Sequence, residues 1–282
     1  MIAHEFEYSS ATQLTEVLTL LADGAKPLAG GMSLVPMMKL RLATPEHIVD
    51  IRRLKELNHV TVSPEGVRLG ATLSHHQVES SEILRAVCPL LPKTAACIGD
   101  VQVRNMGTLG GSVAHADPAA DYLAALFALE AKIKLASASG ERMISISEFV
   151  TDPFTTSIEP GELLTEIIVP AEVAGTGTAY VKMSQPASGF AIVGVAARIR
   201  KSAQGTVDFV RIGITGVGPT AYRARGVEDK LTGTMASDAD ITAAAAQAAE
   251  GIDATTDLNA SSEYRKHLAS VHTARAIRAA LA

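Results

Sequence analysis

Apolar positions in the first fifty residues recur first at helical and then at strand spacing. Leu14, Val17, Leu18 and Leu21 share one helical face; the preceding Ser10-x-x-Gln13 predicts a capped start and Gly24 a stop. The short apolar run KPLA then leads into Gly30 and Gly31, after which Leu34 to Leu42 reads as a helix and Ile48 to Ile51 as a strand. Strand, glycine turn, helix and strand in that order make an α/β unit.

Further along, GVRLGAT reads as a strand, Ser74 to Val87 as a helix, and a second apolar helix ends near Gly99. The glycine-rich TLGGS precedes the strongly apolar helix AADYLAALFALEA. KIKLASASGERMISI predicts a hairpin turning at Ser139-Gly140, and LLTEIIVP a strand closed by Pro170. EVAGTGTA makes a linker, placing a domain boundary near Ala174. Beyond it AYVKMS, AIVGVAARIR and VDFVRIGIT suit an antiparallel sheet, the last two joined by the polar turn KSAQGT. The remainder is helical: AYRARGVEDKL, an Ala-rich helix capped by Ser237 or Asp238, and a last helix from Ser261. Tyr264, Leu268, Val271 and Ile277 of that helix are spaced for one buried face. No internal repeat interrupts this plan.

Composition narrows the function. With 282 residues and 47% hydrophobic content the chain can bury a sizeable core. A formal charge of -5 and 4% aromatic residues argue against binding nucleic acid. The N-terminal stretch has no signal-like pattern and no segment is apolar enough to span a membrane, so a cytoplasmic protein is expected. Two cysteines, Cys88 and Cys97, cannot supply the four thiolates of an iron–sulfur cluster and read as small buried hydrophobes. Any redox centre in this chain must be organic.

Two glycine pairs carry the candidate chemistry. Ala29-Gly30-Gly31-Met32-Ser33 follows a strand and opens a helix at Leu34, where backbone amides can approach a pyrophosphate. Thr108-Leu109-Gly110-Gly111-Ser112 repeats the pattern and is followed by Asp117 and Asp121. Two such loops suit a dinucleotide with its diphosphate between them. Asp121 then either accepts from sugar or ribityl hydroxyls or serves as a first-turn helix acid. A third run, Gly213 to Pro219, has the wrong spacing for a dinucleotide fingerprint and reads as a strand-ending turn. His75 and His76 are adjacent on a helix, too divergent to share a metal, and read as capping or surface residues; His115 either faces a ligand or fills a loop. No metal site and no catalytic acid–base residue is assigned.

The stretches AGGMSLVPMMKLRLATPEHIVDI, GDVQVRNMGTLGGSVAHADPAADYLAALFAL and KMSQPASGFAIVGVAARI closely resemble the flavoprotein (medium) subunits of molybdenum hydroxylases of the carbon monoxide dehydrogenase and xanthine dehydrogenase family. The resemblance runs over essentially the whole chain. It implies an α+β fold: a two-subdomain FAD-binding domain at 1–174, of the PCMH type and divided near residue 56, then a smaller domain at 175–282 with an antiparallel sheet and a helical bundle. It implies FAD, held at residues 29–33 and 108–112, with Asp121 near the cofactor's hydroxyls, Lys182 approaching the flavin, and Ile167 or Ile168 lining the isoalloxazine. It implies partners as well: a molybdopterin-binding large subunit and a [2Fe–2S] small subunit, as a dimer of heterotrimers, with NAD, oxygen or a quinone as acceptor. Gln185 and Gly189 stand where many relatives carry Arg and Asp, a pattern similar to the carbon monoxide dehydrogenase-like branch. The alternative is a stand-alone FAD-dependent reductase or oxidase of the same fold.

Overall fold

The structure is a computed structural model that describes residues 2–282. It opens with β1 (Glu7–Ser10), α1 (Leu14–Ala22), β2 (Lys26–Leu28), α2 (Leu34–Lys39) and β3 (His47–Asp50). The strands form a parallel sheet in the order β1-β3-β2. Val17, Leu18 and Leu21 of α1 bury against Val49, Ile51, Leu54 and Leu57 in one small core. The capping pattern at Ser10 is not used. Ser10 ends β1, and carboxylates of Glu16 and Glu56 instead accept the Thr12 and Leu14 amides at the helix start. The second helix is also shorter than its apolar run, closing at Lys39 instead of Leu42.

The next unit holds β4 (Val60–Ser63), β5 (Gly66–Gly70), α3 (His75–Ser80), α4 (Glu82–Val87), α5 (Leu90–Ala95), α6 (Val101–Met106), α7 (Leu109–His115) and α8 (Asp121–Ala128). It continues with β6 (Lys132–Ser137), β7 (Gly140–Ser145), α9 (Ile146–Phe149), β8 (Val150–Asp152), β9 (Thr155–Thr156) and β10 (Leu163–Val169). β4-β5-β10-β6-β7 is an antiparallel sheet, and its hairpin turns at Ala138-Ser139, between the paired Ser137 and Gly140, one residue before the expected Ser139-Gly140. The single helix expected over Ser74 to Val87 divides at Ser81. That residue is extended (φ −66, ψ 113), and its hydroxyl accepts the Leu84 amide to cap α4. α6 carries no fully buried residue, which is why its sequence gives no helical apolar stripe.

The last unit contains β11 (Gly177–Ser184), β12 (Ala191–Lys201), β13 (Val207–Thr215), β14 (Tyr222–Arg223), α10 (Arg225–Leu231), α11 (Asp238–Ala245) and α12 (Ser262–Leu281). The sheet is antiparallel in that order. AYRARGVEDKL therefore divides between a short strand and α10. Gly216 takes φ +83 just past β13, the strand-ending turn read from the third glycine run. The buried side of α12 is Arg265, Leu268, Ala269, His272, Thr273, Ala276, Ile277 and Ala280, whereas Tyr264 is exposed; small alanines, invisible to a bulky-residue pattern, set the face.

α8 positions the site. All eight of its residues are buried, packed on β12 and β13 at one side and α5 at the other. Each large apolar side chain so enclosed contributes about 1.5–3 kcal/mol, so the helix start, Asp121, is held by a core shared between the second unit and the C-terminal sheet. Ala196 and Ala221 complete that shared core.

Candidate functional site

The first glycine segment packs on the residues that lead into the second. A Cβ added to Gly30 would lie 2.1 Å from the Met106 carbonyl oxygen and 2.7 Å from Gly107 Cα, so only glycine lets residues 29–31 approach the end of α6. Gly31 adopts φ +73, the left-handed region that glycine reaches without strain. Among the described residues the amides of Ala29, Gly30, Gly31, Met32, Ser33 and Leu34 donate no hydrogen bond. Six successive unengaged N–H groups beside a left-handed residue form an anion-binding concavity.

Residues 108–112 behave differently. They are not a loop but the capped start of α7: the Thr108 hydroxyl accepts from the Gly111 amide at 3.1 Å. Leu109 donates to Leu73 O (2.8 Å), Gly110 to Ala71 O (2.9 Å) and Ser112 to Thr108 O (3.0 Å). Only the Thr108 amide of this segment is left without a partner among the described residues. A Cβ on Gly110 would meet Ala71 Cβ at 2.5 Å, so this glycine serves close packing. The expected second cradle of amides is thus reduced to one free amide, at Thr108, directly after the Gly107 that Gly30 touches.

His75 supports that segment. Its amide donates to Gly107 O at 2.9 Å, its neighbour Ser74 bridges to Thr108, and its Nε2 lies 2.5 Å from where a Gly107 Cβ would be. The ring is buried against Tyr122 at 5.3 Å, which corrects the expectation of a surface histidine. Burial first, and the Arg104 charge second, push its pKa down to about 4, so it is neutral at ordinary pH. His115 ends α7 and stacks on Phe154 at 5.2 Å.

Asp121 and Lys182 are brought together from 61 positions apart. Lys182 Nζ lies 2.9 Å from Asp121 Oδ2 and donates to Cys97 O at 2.8 Å, while the Tyr180 hydroxyl donates to Asp121 Oδ1 at 2.5 Å. The two charged side chains are only 3% and 4% exposed. Burial pushes the Asp121 carboxyl up; Lys182 and the Tyr180 hydroxyl oppose that, and the N–H groups at the start of α8 also favour the anion. Both carboxylate oxygens are engaged inside the protein. Asp121 is thus a first-turn acid of α8 that holds Lys182. Tyr180 and the Cys97 carbonyl escaped the sequence reading, although Tyr180, two positions before Lys182 on one strand, shares its face. Cys97 itself is exposed, contrary to expectation, and only Cys88 is buried.

Asp117 turns inward on its own segment, accepting the Ala119 amide at 2.8 Å. Ile167 is fully enclosed in the core with Leu69 and Ile133, so its side chain does not line an open face; Ile168 is on the opposite side of β10. Among the described residues no group of His, Cys, Asp or Glu could hold a metal ion.

The family description "FAD binding domain in molybdopterin dehydrogenase" matches residues 4–172 and "CO dehydrogenase flavoprotein C-terminal domain" residues 178–280. The glyceraldehyde dehydrogenase medium chain of Sulfolobus acidocaldarius is 39% identical over 99% of this chain and 99% of its own. The carbon monoxide dehydrogenase medium chain of Hydrogenophaga pseudoflava is also 39% identical, over 100% and 99%. Among solved structures, carbon monoxide dehydrogenase from Hydrogenophaga pseudoflava superposes with a TM-score of 0.95 at 40% identity, covering 99% of this chain and 98% of that one. Quinoline 2-oxidoreductase from Pseudomonas putida 86 gives 0.95 at 31%, covering 100% and 98%.

This chain belongs to the FAD-binding medium subunits of the molybdenum hydroxylases, the carbon monoxide dehydrogenase and xanthine dehydrogenase family. It is an oxidoreductase subunit whose cofactor is FAD. The residues present fit that cofactor: the run of free amides at 29–34 would suit a diphosphate's charge.

Proposed function

We propose that this chain is the electron-transfer subunit of a heteromeric molybdenum hydroxylase, taking electrons from [2Fe–2S] clusters of a small partner subunit and passing them to NAD, oxygen or a quinone. Bound FAD supplies the two-electron redox chemistry. The chain's own residues bind and orient it. Amides 29–34 and the Thr108 amide hold the diphosphate, Ser33 and Ser112 place hydroxyls beside it, and Lys182, fixed by Asp121 and Tyr180, sets a positive charge at the far end of the 97–108 segment. Molybdopterin belongs to a large partner subunit, the whole forming a dimer of heterotrimers in the cytoplasm. The domains divide near Ala174.

The observation that carries this reading is the run of six unengaged amides beside a Gly30–Gly107 contact that only glycine permits. Chains of this kind serve glyceraldehyde, carbon monoxide and quinoline enzymes by name, so the flavin subunit does not choose the substrate. Native purification followed by flavin, molybdenum and iron analysis tests it. Stoichiometric FAD with molybdenum and iron on copurifying chains is expected. FAD without such chains would move the reading to a stand-alone flavoenzyme, and absence of flavin would end it.

A further inference from the structure

The third glycine run, at the end of β13, packs against the helix that carries Asp121. A Cβ on Gly213 would lie 1.9 Å from the Ala124 carbonyl oxygen, so only glycine admits α8 this close to the sheet. Thr215, fully buried, turns its hydroxyl on the residues that lead into α8: it donates to Pro118 O at 2.6 Å, with Ala120 O 3.1 Å away. Two amides of the same sheet edge join it, Gly216 donating to Pro118 O at 2.8 Å and Ala191 to Ala119 O at 3.3 Å. The three successive carbonyls immediately before Asp121 thus all accept from the C-terminal unit. Behind them the buried Arg265 of α12, paired with Asp257, donates to Ile192 O at 2.8 Å and Gly216 O at 2.5 Å, fixing the two strand ends that carry these donors.

The ion pair is mounted on the same strands. Across β11, β12 and β13, Lys182 pairs with Gly194 and Gly194 with Thr215, so the three stand in one row and Lys182 and Thr215 project from one face. Gly194 leaves the middle of that row open. A Cβ there would come within 2.3 Å of the Tyr180 hydroxyl and 3.0 Å of Thr215 Cγ2, and this gap admits the hydroxyl that holds Asp121 Oδ1. One row of the sheet therefore grips the start of α8 twice. Lys182, with Tyr180, holds it by the Asp121 carboxylate, and Thr215 holds it by the backbone just before.

We infer that Thr215 is a positioning residue for the flavin end of the site: by fixing the carbonyls of 118–120 it sets where Asp121 holds Lys182, and so how close the ammonium stands to the flavin. The inference rests on the functional reading above, which places Lys182 there. A cation near the ring favours the reduced flavin, whose charge is more negative, so Lys182 raises the flavin's midpoint potential the closer it stands. The Thr215 hydroxyl, spent on two backbone carbonyls, acts on that potential only through α8.

The test measures flavin content and flavin midpoint potential of the full-length chain carrying FAD. Thr215→Val keeps the shape and removes the hydroxyl, and Thr215→Ser keeps the hydroxyl. Thr215→Ala, which cannot crowd Gly194, gives the same readout should Thr215→Val not accumulate. Thr215→Val is expected to retain FAD at wild-type stoichiometry, because residues 29–34 are untouched, while its lowered potential shifts the oxidised-to-reduced flavin ratio at a fixed potential by at least about fivefold. Thr215→Ser should keep the wild-type potential. In a background of Lys182→Met with Asp121→Leu, which itself lowers the potential, Thr215→Val should shift nothing further. A wild-type potential in both Thr215→Val and Thr215→Ala would overturn the inference alone. So would a shift of full size in the Lys182→Met, Asp121→Leu background, or an equal shift in Thr215→Ser. If that background carries FAD at the wild-type potential, Lys182 does not stand at the flavin, and the inference falls together with that part of the functional reading. A wild-type chain without flavin would overturn the inference and the whole reading.

Discussion

Residues 29–34 pack through Gly30 on Gly107, the residue just before 108–121, yet the two segments treat their polar groups in opposite ways. The first segment leaves six amides unengaged; the second gives the amides of Leu109, Gly110, Gly111 and Ser112 to Leu73, Ala71 and Thr108, and the Asp121 carboxylate to Lys182 and Tyr180. A binding site needs both kinds. Unengaged donors supply affinity for a charged ligand, and internally satisfied ones hold the neighbouring segment rigid. Glycine pairs alike in sequence thus leave the neighbouring amides free in one place and engaged in the other.

The sharpest way to probe the engaged half is Lys182→Met. It leaves the Asp121 carboxylate buried without its counter-charge and should cost about 3–5 kcal/mol in urea unfolding. Replacing Asp121 by Leu as well should regain most of that, and a single-variant loss below about 1 kcal/mol would show that the pair is not the brace described.

Acid should weaken the same segment through His75. Its folded pKa is about 4 against an ordinary 6.5, so the unfolded chain takes up the proton first as pH falls. Stability from keeping His75 neutral is complete above about pH 6.5, declines as pH drops toward 4 and levels off below, by up to about 3 kcal/mol. The His75→Phe variant should lose this part of the pH dependence between 6.5 and 4. An unchanged slope would place the acid sensitivity elsewhere.

A smaller effect separates the two glycines directly. Gly110→Ala drives a methyl into Ala71 and should cost about 1–3 kcal/mol of stability with FAD stoichiometry kept in the folded fraction. Gly31→Ala should cost about 1 kcal/mol through its left-handed backbone but lower FAD affinity roughly tenfold. Equal effects of both on flavin retention would erase the distinction between the halves.

Much of the fold was legible: the α/β opening, the hairpin at Ser137 to Gly140, the antiparallel β11-β12-β13 and the cap at Ser237 each rest on local periodicity or on a single turn residue. The failures share another cause. α6 buries nothing, α12 buries alanines, and Ser10 ends a strand whose partner is forty residues away, so in each the deciding contact is distant. That the amides at 29–34 are free of internal acceptors fits the two glycines that mark the segment in the sequence. That the amides at 109–112 are engaged was not legible there, since their acceptors Leu73 and Ala71 come from another element.

By itself the sequence determined the element types, the absence of thiolates for an iron–sulfur cluster and, through three ordered motifs, the flavoprotein family. Local spacing and residue chemistry suffice for these. The tertiary structure alone decided which amides stay unengaged, that Asp121 and Lys182 form a buried pair across 61 positions, and that His75 is buried and neutral. Hydrogen-bond satisfaction and charge burial depend on what lies a few ångströms away in space, and no window along the chain contains that neighbour.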